Sequence, residues 1–376
     1  MGRMRLLAVV ARFKWTHIDY LHALAERVGL SIAWSGEVHP GAVDQAVKEG
    51  LDLRPIGALA VDGRAEVRAR LAEVLAATRP DLVHVLYYRH EALVLLAREL
   101  VGDGLPIVFE IRDPITTLAR AAPGTPEWEL EAEALAASNG HIVVSRATGD
   151  YLERAHGVDL STALVVPHAF ARRNLAPPSP KLSAADGRVH IALVGTADRE
   201  PGHGRWYGDI IRGLVAQGLV VHTRFHENGR PSRDPYRRLA AELPDYHDEP
   251  AIPVRWGTQL ADATSRYDLM GVFHDLDAEQ HNESATLRIC LPTKAVSGWF
   301  HGGIPTVCTS HYGGIVERIE EHGIGFVVRS VEDVWRVAAD RDAIDRATAA
   351  CLDVREQFTH EHQAARIEPF YRALLA

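Results

Sequence analysis

Leu6-Leu-Ala-Val-Val10, then Ile18, Leu21, Leu24, Ala25 and Val28 at helical spacing, then Ser31-Ile-Ala-Trp34: this opening stretch sets the expected fold. A short aliphatic run, an amphipathic segment of helical period and a second short run read as strand, helix and strand. Two strands joined by such a crossover lie parallel, so the unit is the start of an α/β sheet covered by helices. The alternation continues with Val67, Leu71, Val74 and Leu75 on a helix, then strands over Leu82–Leu86, Ile107–Ile111 and Ile142–Ser145. Helical stretches Glu91–Leu100 and Glu127–Ala137 lie between those strands, which makes the first half doubly wound.

A proline-rich segment, Arg172-Arg-Asn-Leu-Ala-Pro-Pro-Ser-Pro180, interrupts both periodicities, and prolines stiffen a connection rather than join a sheet. Beyond it the alternation restarts, with strands expected at Val189–Val194, Val220–Phe225, Val254–Trp256, Leu269–Phe273, Thr306–Cys308 and Gly325–Val328. Ala364, Ile367, Tyr371 and Leu374 share one face of a terminal helix that needs an apolar surface to cover. The expected division is therefore 1–180, 181–355 and a terminal helix at 356–376.

A chain of 376 residues fits two such domains. Hydrophobic residues at 47% and charged ones at 24% are ordinary for a folded globular protein. The net charge of −9 opposes binding to nucleic acid, so no nucleic-acid partner is expected. Leu6–Ala11 is an apolar run of six residues, too short for a signal-peptide core or a membrane span, and the expected location is cytoplasmic with no transmembrane segment. The three cysteines, Cys290, Cys308 and Cys351, form no CxxC pair and read as reduced thiols.

Local sequence narrows the function. Leu291-Pro-Thr-Lys-Ala-Val-Ser-Gly-Trp-Phe-His-Gly-Gly-Ile-Pro-Thr-Val-Cys308 places a proline and a lysine at the opening of a helix that ends in Gly-x-Pro before a strand. Thr309-Ser-His-Tyr-Gly-Gly-Ile-Val-Glu317 is a strand-to-helix turn with paired glycines, followed by the strand Gly323-Ile-Gly-Phe-Val-Val328. Ile191-Ala-Leu-Val-Gly-Thr196 is a strand running into a glycine turn. In this order these segments resemble the donor domain of GT-B glycosyltransferases. Pro80-Asp-Leu-Val-His-Val85, Pro106-Ile-Val-Phe-Glu-Ile-Arg-Asp-Pro114 and His141-Ile-Val-Val-Ser145 resemble the acceptor domain of the family-4-like members. Glu356-Gln-Phe-Thr-His-Glu and Phe370-Tyr-Arg-Ala-Leu-Leu375 resemble the helix that crosses back to the first domain.

The resemblance implies a GT-B fold: two Rossmann-like doubly wound domains facing a cleft, the first on the acceptor side and the second binding a nucleotide-sugar. It implies transfer of a hexose or related sugar from a nucleotide diphosphate-sugar to a small-molecule or glycan acceptor, with no obligatory metal or cofactor, and it leans towards retention. Lys294, Gly195, Thr196, Gly313, Gly314 and Glu317 fall at its donor positions, with Arg199 and Arg205 as the two candidates for a basic contact to the diphosphate. A helix start presents free N–H groups and a partial positive charge that suit a phosphate, and a lysine there opposes the dipole unless an anion joins it. The paired glycines are expected to allow positive φ and close backbone approach to a ligand. Asp113, at a strand end, is the candidate general base, and His17 and His90 follow strands on the side where open α/β sheets bind ligands.

The chain departs from the family pattern in lacking its paired donor-site glutamates, Ser297 standing near the second of them. That motivates the alternative of a nucleotide-binding protein without catalysis; a sugar-nucleotide epimerase of the same two-domain shape is a further alternative. Asp275 and Asp277 spell the DxD that holds a divalent ion in a different glycosyltransferase fold, and deep in a second sheet they read as an acidic surface loop. His360 and His362, two apart, point to different faces of a helix and make no metal site. Glu110 and Arg112 lie on one side of their strand and suit an ion pair. A nicotinamide dehydrogenase is disfavoured, since GxGxxG follows neither domain's first strand.

Overall fold

The computed structural model describes residues 2–11, 13–36, 41–58, 64–86, 90–198, 205–226, 234–251, 257–274 and 284–376. The chain forms two compact units, Met1–Ala171 with Thr359–Ala376, and Arg172–Phe358.

The first unit is built on strands β1 (Arg5–Val10), β2 (Gly29–Trp34), β3 (Asp52–Pro55), β4 (Leu82–Leu86), β5 (Ile107–Ile111), β6 (Gly140–Val143) and β7 (Leu164–Val165). They form one sheet in the order β3-β2-β1-β4-β5-β6-β7, every neighbouring pair parallel. Alternation along β1 sends Leu6, Ala8 and Val10 into one apolar cluster and Leu7 and Val9 into another. The first cluster holds Ile18, Leu21 and Leu24 of the helix Trp15–Ala25, and the second holds Val67, Leu71, Leu93 and Val94. Helices thus cover both faces, the doubly wound arrangement.

The terminal helix His360–Leu374 belongs to this unit, with Ala364, Ile367 and Tyr371 buried in the first cluster. Gly140 at the start of β6 makes room for it: a Cβ there would fall 2.7 Å from Leu374 Cδ1 and 2.9 Å from Phe370 Cζ.

The second unit carries β8 (His190–Thr196), β9 (Val220–His226), β10 (Tyr246–Asp248), β11 (Leu269–Val272), β12 (Thr306–Thr309) and β13 (Gly325–Val328). Its order is β10-β9-β8-β11-β12-β13, again parallel throughout. The strand expected at Val254–Trp256 lies outside the described residues. Three strands escaped the sequence reading, β3, β7 and β10, each of four residues or fewer and each at a sheet edge, where only one neighbour shields the backbone. Ser145, read as the end of a strand, instead caps the helix Arg146–His156, its Oγ accepting from Thr148 N at 3.1 Å. Among the described residues no helix is long and apolar enough to cross a membrane.

Candidate functional site

Both sheets reverse their strand order beside their first strand, between β1 and β4 in the first unit and between β8 and β11 in the second. At such a switch point the connections leave in opposite directions, and a crevice opens beyond the carboxyl ends of the strands. Gly195 and Thr196 lie at the end of β8, while Asp113 and the pair Gly313 and Gly314 follow the neighbouring strands β5 and β12.

In the second unit Gly195, next to last in β8, has φ +111, a backbone conformation that side chains rarely adopt. A Cβ there would sit at ordinary contact distance, 3.8 Å, from Lys294 Cδ, so the positive φ rather than space for the lysine is what calls for glycine. Lys294, in the helix Thr293–Ser297, donates to Tyr207 Oη at 3.0 Å and lies 2.8 Å from His274 Nε2. His274 follows β11, and its Nδ1 lies 2.9 Å from Tyr312 Oη. Burial, with the neighbouring Arg205 charge added, pushes the Lys294 amine down to about 7.

Arg205 is held by a local clasp: Asp198 N donates to Arg205 O at 2.9 Å, and Arg205 N donates to Asp198 Oδ2 at 3.1 Å. Thr196 is the last residue of β8, next to Gly195. Arg199 lies outside the described residues, as do Asp275 and Asp277.

Gly313 and Gly314 open the helix Gly313–His322, whose preceding residue, Tyr312, offers no side-chain cap. Ile315 N and Val316 N both donate to Tyr312 O at 2.9 Å, while the two glycine N–H groups have no acceptor among the described residues. The expectation of positive φ at this pair is corrected: neither glycine adopts it. Gly314 is required by packing instead, because a Cβ would fall 2.5 Å from the Cys290 carbonyl oxygen. Glu317, just over a turn into the helix, pairs with Arg318 Nη2 at 3.1 Å.

In the first unit Asp113 stands two residues beyond β5, partly buried, and accepts no hydrogen bond among the described residues. Burial raises its pKa against the pull of Arg112 and Lys14. His17 sits in the first turn of the helix Trp15–Ala25, where Nδ1 accepts from Lys14 N at 3.2 Å. Burial, then the charges of His90 and Lys14, push it down to about 3. His90 precedes the helix Glu91–Val101 and accepts from Ala11 N through Nε2 at 2.8 Å, tying the end of β1 to the start of that helix. His17 and His90 act on each other, and Asp113 feels the same Arg112 and Lys14 charges as His17, but His90 spends a ring nitrogen on the backbone.

Beneath them Glu110 is wholly buried and takes hydrogen bonds from Tyr20 Oη at 2.9 Å and Arg112 Nε at 2.6 Å, with His84 Nε2 at 3.2 Å. Burial opposes its charge, yet Arg112, His84 and Tyr20 outweigh that and hold the carboxyl at about 2. Tyr371 Oη meets His84 Nδ1 at 2.6 Å, which links the terminal helix to the same network.

Sequence reasoning missed Tyr207, His274 and Tyr312. His274 was within reach, since it follows the strand beside the switch point. The two tyrosines carry no sequence signal apart from position.

Residues 36–170 match the family model described as Glycosyltransferase Family 4. The fold matches a glycosyltransferase from Rickettsia africae with a TM-score of 0.67 at 13% identity, covering 100% of this chain and 99% of that one. The chain has the GT-B fold. Anabaena HepE in complex with UDP matches this GT-B chain with a TM-score of 0.70 at 13% identity, over 98% of this chain and 100% of HepE. Sucrose-phosphate synthase from Thermosynechococcus elongatus gives 0.66 at 14%, over 99% of each chain. No curated protein sequence matches it.

Proposed function

We propose that this GT-B chain is a glycosyltransferase that moves a hexose or related sugar from a nucleotide diphosphate-sugar to a hydroxyl or other nucleophile of a small molecule or glycan. The observation that carries the reading is the amine of Lys294 at the switch point of the second sheet: among the described residues it has no carboxylate as a hydrogen-bond partner, and two N–H groups at the start of the helix Gly313–His322 have no acceptor. Such a place favours an anion. HepE, of the same fold, is seen with UDP.

In this reading the bond from the anomeric carbon to the diphosphate breaks, the electron pair leaves with the phosphate oxygen, and Lys294 with Arg205 and the glycine amides stabilises the growing charge. The acceptor oxygen forms the new bond and gives its proton to Asp113, whose raised pKa suits a base. Lys294 supplies charge where other transferases use a divalent ion, so transfer is expected to persist in the presence of a chelator.

A thermal-shift screen with UDP, ADP, GDP and their sugar conjugates tests the donor assignment. A ligand at a hundred times its Kd adds about 2.7 kcal/mol of stability, and no shift with any of them sinks the reading. Incubating a bound nucleotide-sugar without acceptor separates transfer from epimerisation, because an epimerase returns an isomer.

A further inference from the structure

The surroundings of Lys294 are unusual for a lysine. Among the described residues its nitrogen has two hydrogen-bond partners, the hydroxyl of Tyr207 and the imidazole of His274. Neither is an acid. Tyr207 is fully buried before the helix Gly208–Ala216, and burial raises the pKa of its hydroxyl and that of Tyr312, so both remain neutral. Gly195 at the end of β8 brings no side chain. Among the described residues the charge of Arg205 presses the amine towards its neutral form, and the thiol of Cys290, four residues earlier in the chain, opposes it. An enclosed ammonium with no carboxylate among its described partners is costly, and giving up the proton relieves that cost.

We propose that donor binding at this site is coupled to proton uptake: Lys294 rests as a neutral amine between Tyr207 and His274, and a nucleoside diphosphate settling beside it draws one proton from solvent onto the amine. This deepens, and rests on, the reading of the site as a diphosphate site. The balance is simple: one amine, one solvent proton and one diphosphate become an ammonium paired with the anion, with no covalent change.

His274 is the positioning residue of the pair. An ammonium can only donate, so once loaded it requires His274 Nε2 to accept, which places the imidazole hydrogen on Nδ1 facing Tyr312 Oη at 2.9 Å. Tyr312 directly precedes Gly313, so the same tautomer connects the lysine to the start of the helix that offers the free amides. A proton on His274 as well would set two cations 2.8 Å apart, which Coulomb repulsion opposes.

The resting amine, pushed down to about 7, would be charged in roughly one molecule in ten at pH 8, where the diphosphate is fully ionised. Titration calorimetry of the full chain with UDP, ADP and GDP at pH 8, in two buffers of different ionisation enthalpy, reads the protons directly. The expected result is uptake of about 0.9 proton per bound diphosphate, with affinity falling by up to about tenfold per pH unit above neutrality. Lys294→Arg, permanently charged, should bind without uptake. His274→Asn should move the pH at which uptake is half complete, which a merely structural histidine would not do. Binding without uptake, or uptake that persists in Lys294→Arg, overturns the coupling. A failure of all three diphosphates to bind overturns the site assignment beneath it, and the calorimeter distinguishes the two failures.

Discussion

Thr116 Oγ1 donates to Glu131 Oε2 at 2.6 Å, both side chains buried in the first unit. Thr116 lies in the short helix Ile115–Ala119 that begins two residues after Asp113, and Glu131 lies in the helix Pro126–Ala136. Tyr151 Oη donates to Thr116 Oγ1 at 3.0 Å, and His156 Nε2 lies 2.8 Å from Glu131 Oε2. Glu131 therefore anchors the turn that carries Asp113. Glu131→Ala leaves buried donors without an acceptor and should cost about 1–3 kcal/mol or more. Urea unfolding reads this as a lower midpoint, and an unchanged midpoint would show that the network holds nothing in place.

Asp113→Asn should lower kcat by about 100-fold or more while leaving nucleoside diphosphate affinity intact, as loss of a general base does. Burial raises the Asp113 pKa, so the active carboxylate is lost as pH falls through that raised value, and the acid limb of the rate profile should lie above that of an unperturbed aspartate. Equal loss of affinity and rate would instead mark Asp113 as a folding residue.

Lys294→Ala should weaken UDP binding at least tenfold, about 1.4 kcal/mol, without lowering the melting temperature of the free chain. The free protein has no counterion for that lysine among its described hydrogen-bond partners, so little folding energy rests on it. Calorimetry showing equal affinity removes Lys294 from the site.

Gly314→Ala drives a methyl group to 2.5 Å from the Cys290 carbonyl oxygen, backbone that cannot rotate away. The expected loss is about 1–3 kcal/mol of stability, with a displaced helix start and weaker diphosphate binding. Gly104→Ala is the control, since nothing lies within 4 Å of its Cβ position, and it should stay within about 0.5 kcal/mol.

Acid should loosen the first unit in two stages. His17 and His168 are each pushed down by burial to about 3, so between about pH 6.5 and 3 the unfolded chain binds protons that the folded chain refuses. Stability then falls as pH drops, by about 1.4 kcal/mol per pH unit for each histidine. Glu110, held at about 2 by Arg112, His84 and Tyr20 against its burial, adds a further loss from about pH 4.5 downward. Denaturant midpoints between pH 7 and 4 check the first stage, and His17→Asn should flatten part of the slope.

Period and order were legible in the sequence. Leu6–Val10 and its crossover announced a parallel sheet because a strand buried on both faces must be apolar at every position, and β1 is buried at five of its six. The face of Ala364, Ile367 and Tyr371 announced a helix in need of a partner, and the first unit's core is that partner. Edge strands such as β7, with two residues and no full burial, left no such trace.

Lys294 was legible as a cation at a helix opening, because a charge that opposes a dipole stands out in one dimension. Its setting was not. Tyr207 and His274 lie 87 and 20 residues from it in the chain, and only the meeting of β8 with β11 brings their polar atoms to one amine, with Tyr312 behind the imidazole. For Gly313 and Gly314 the sequence marked the turn, while the reason for the second glycine, a passing carbonyl of Cys290, exists only once two distant segments pack. Local pattern determines which elements form, since it depends on neighbours along the chain; whether a lysine keeps its proton depends on the atoms that enclose it, and those are assembled by the tertiary fold.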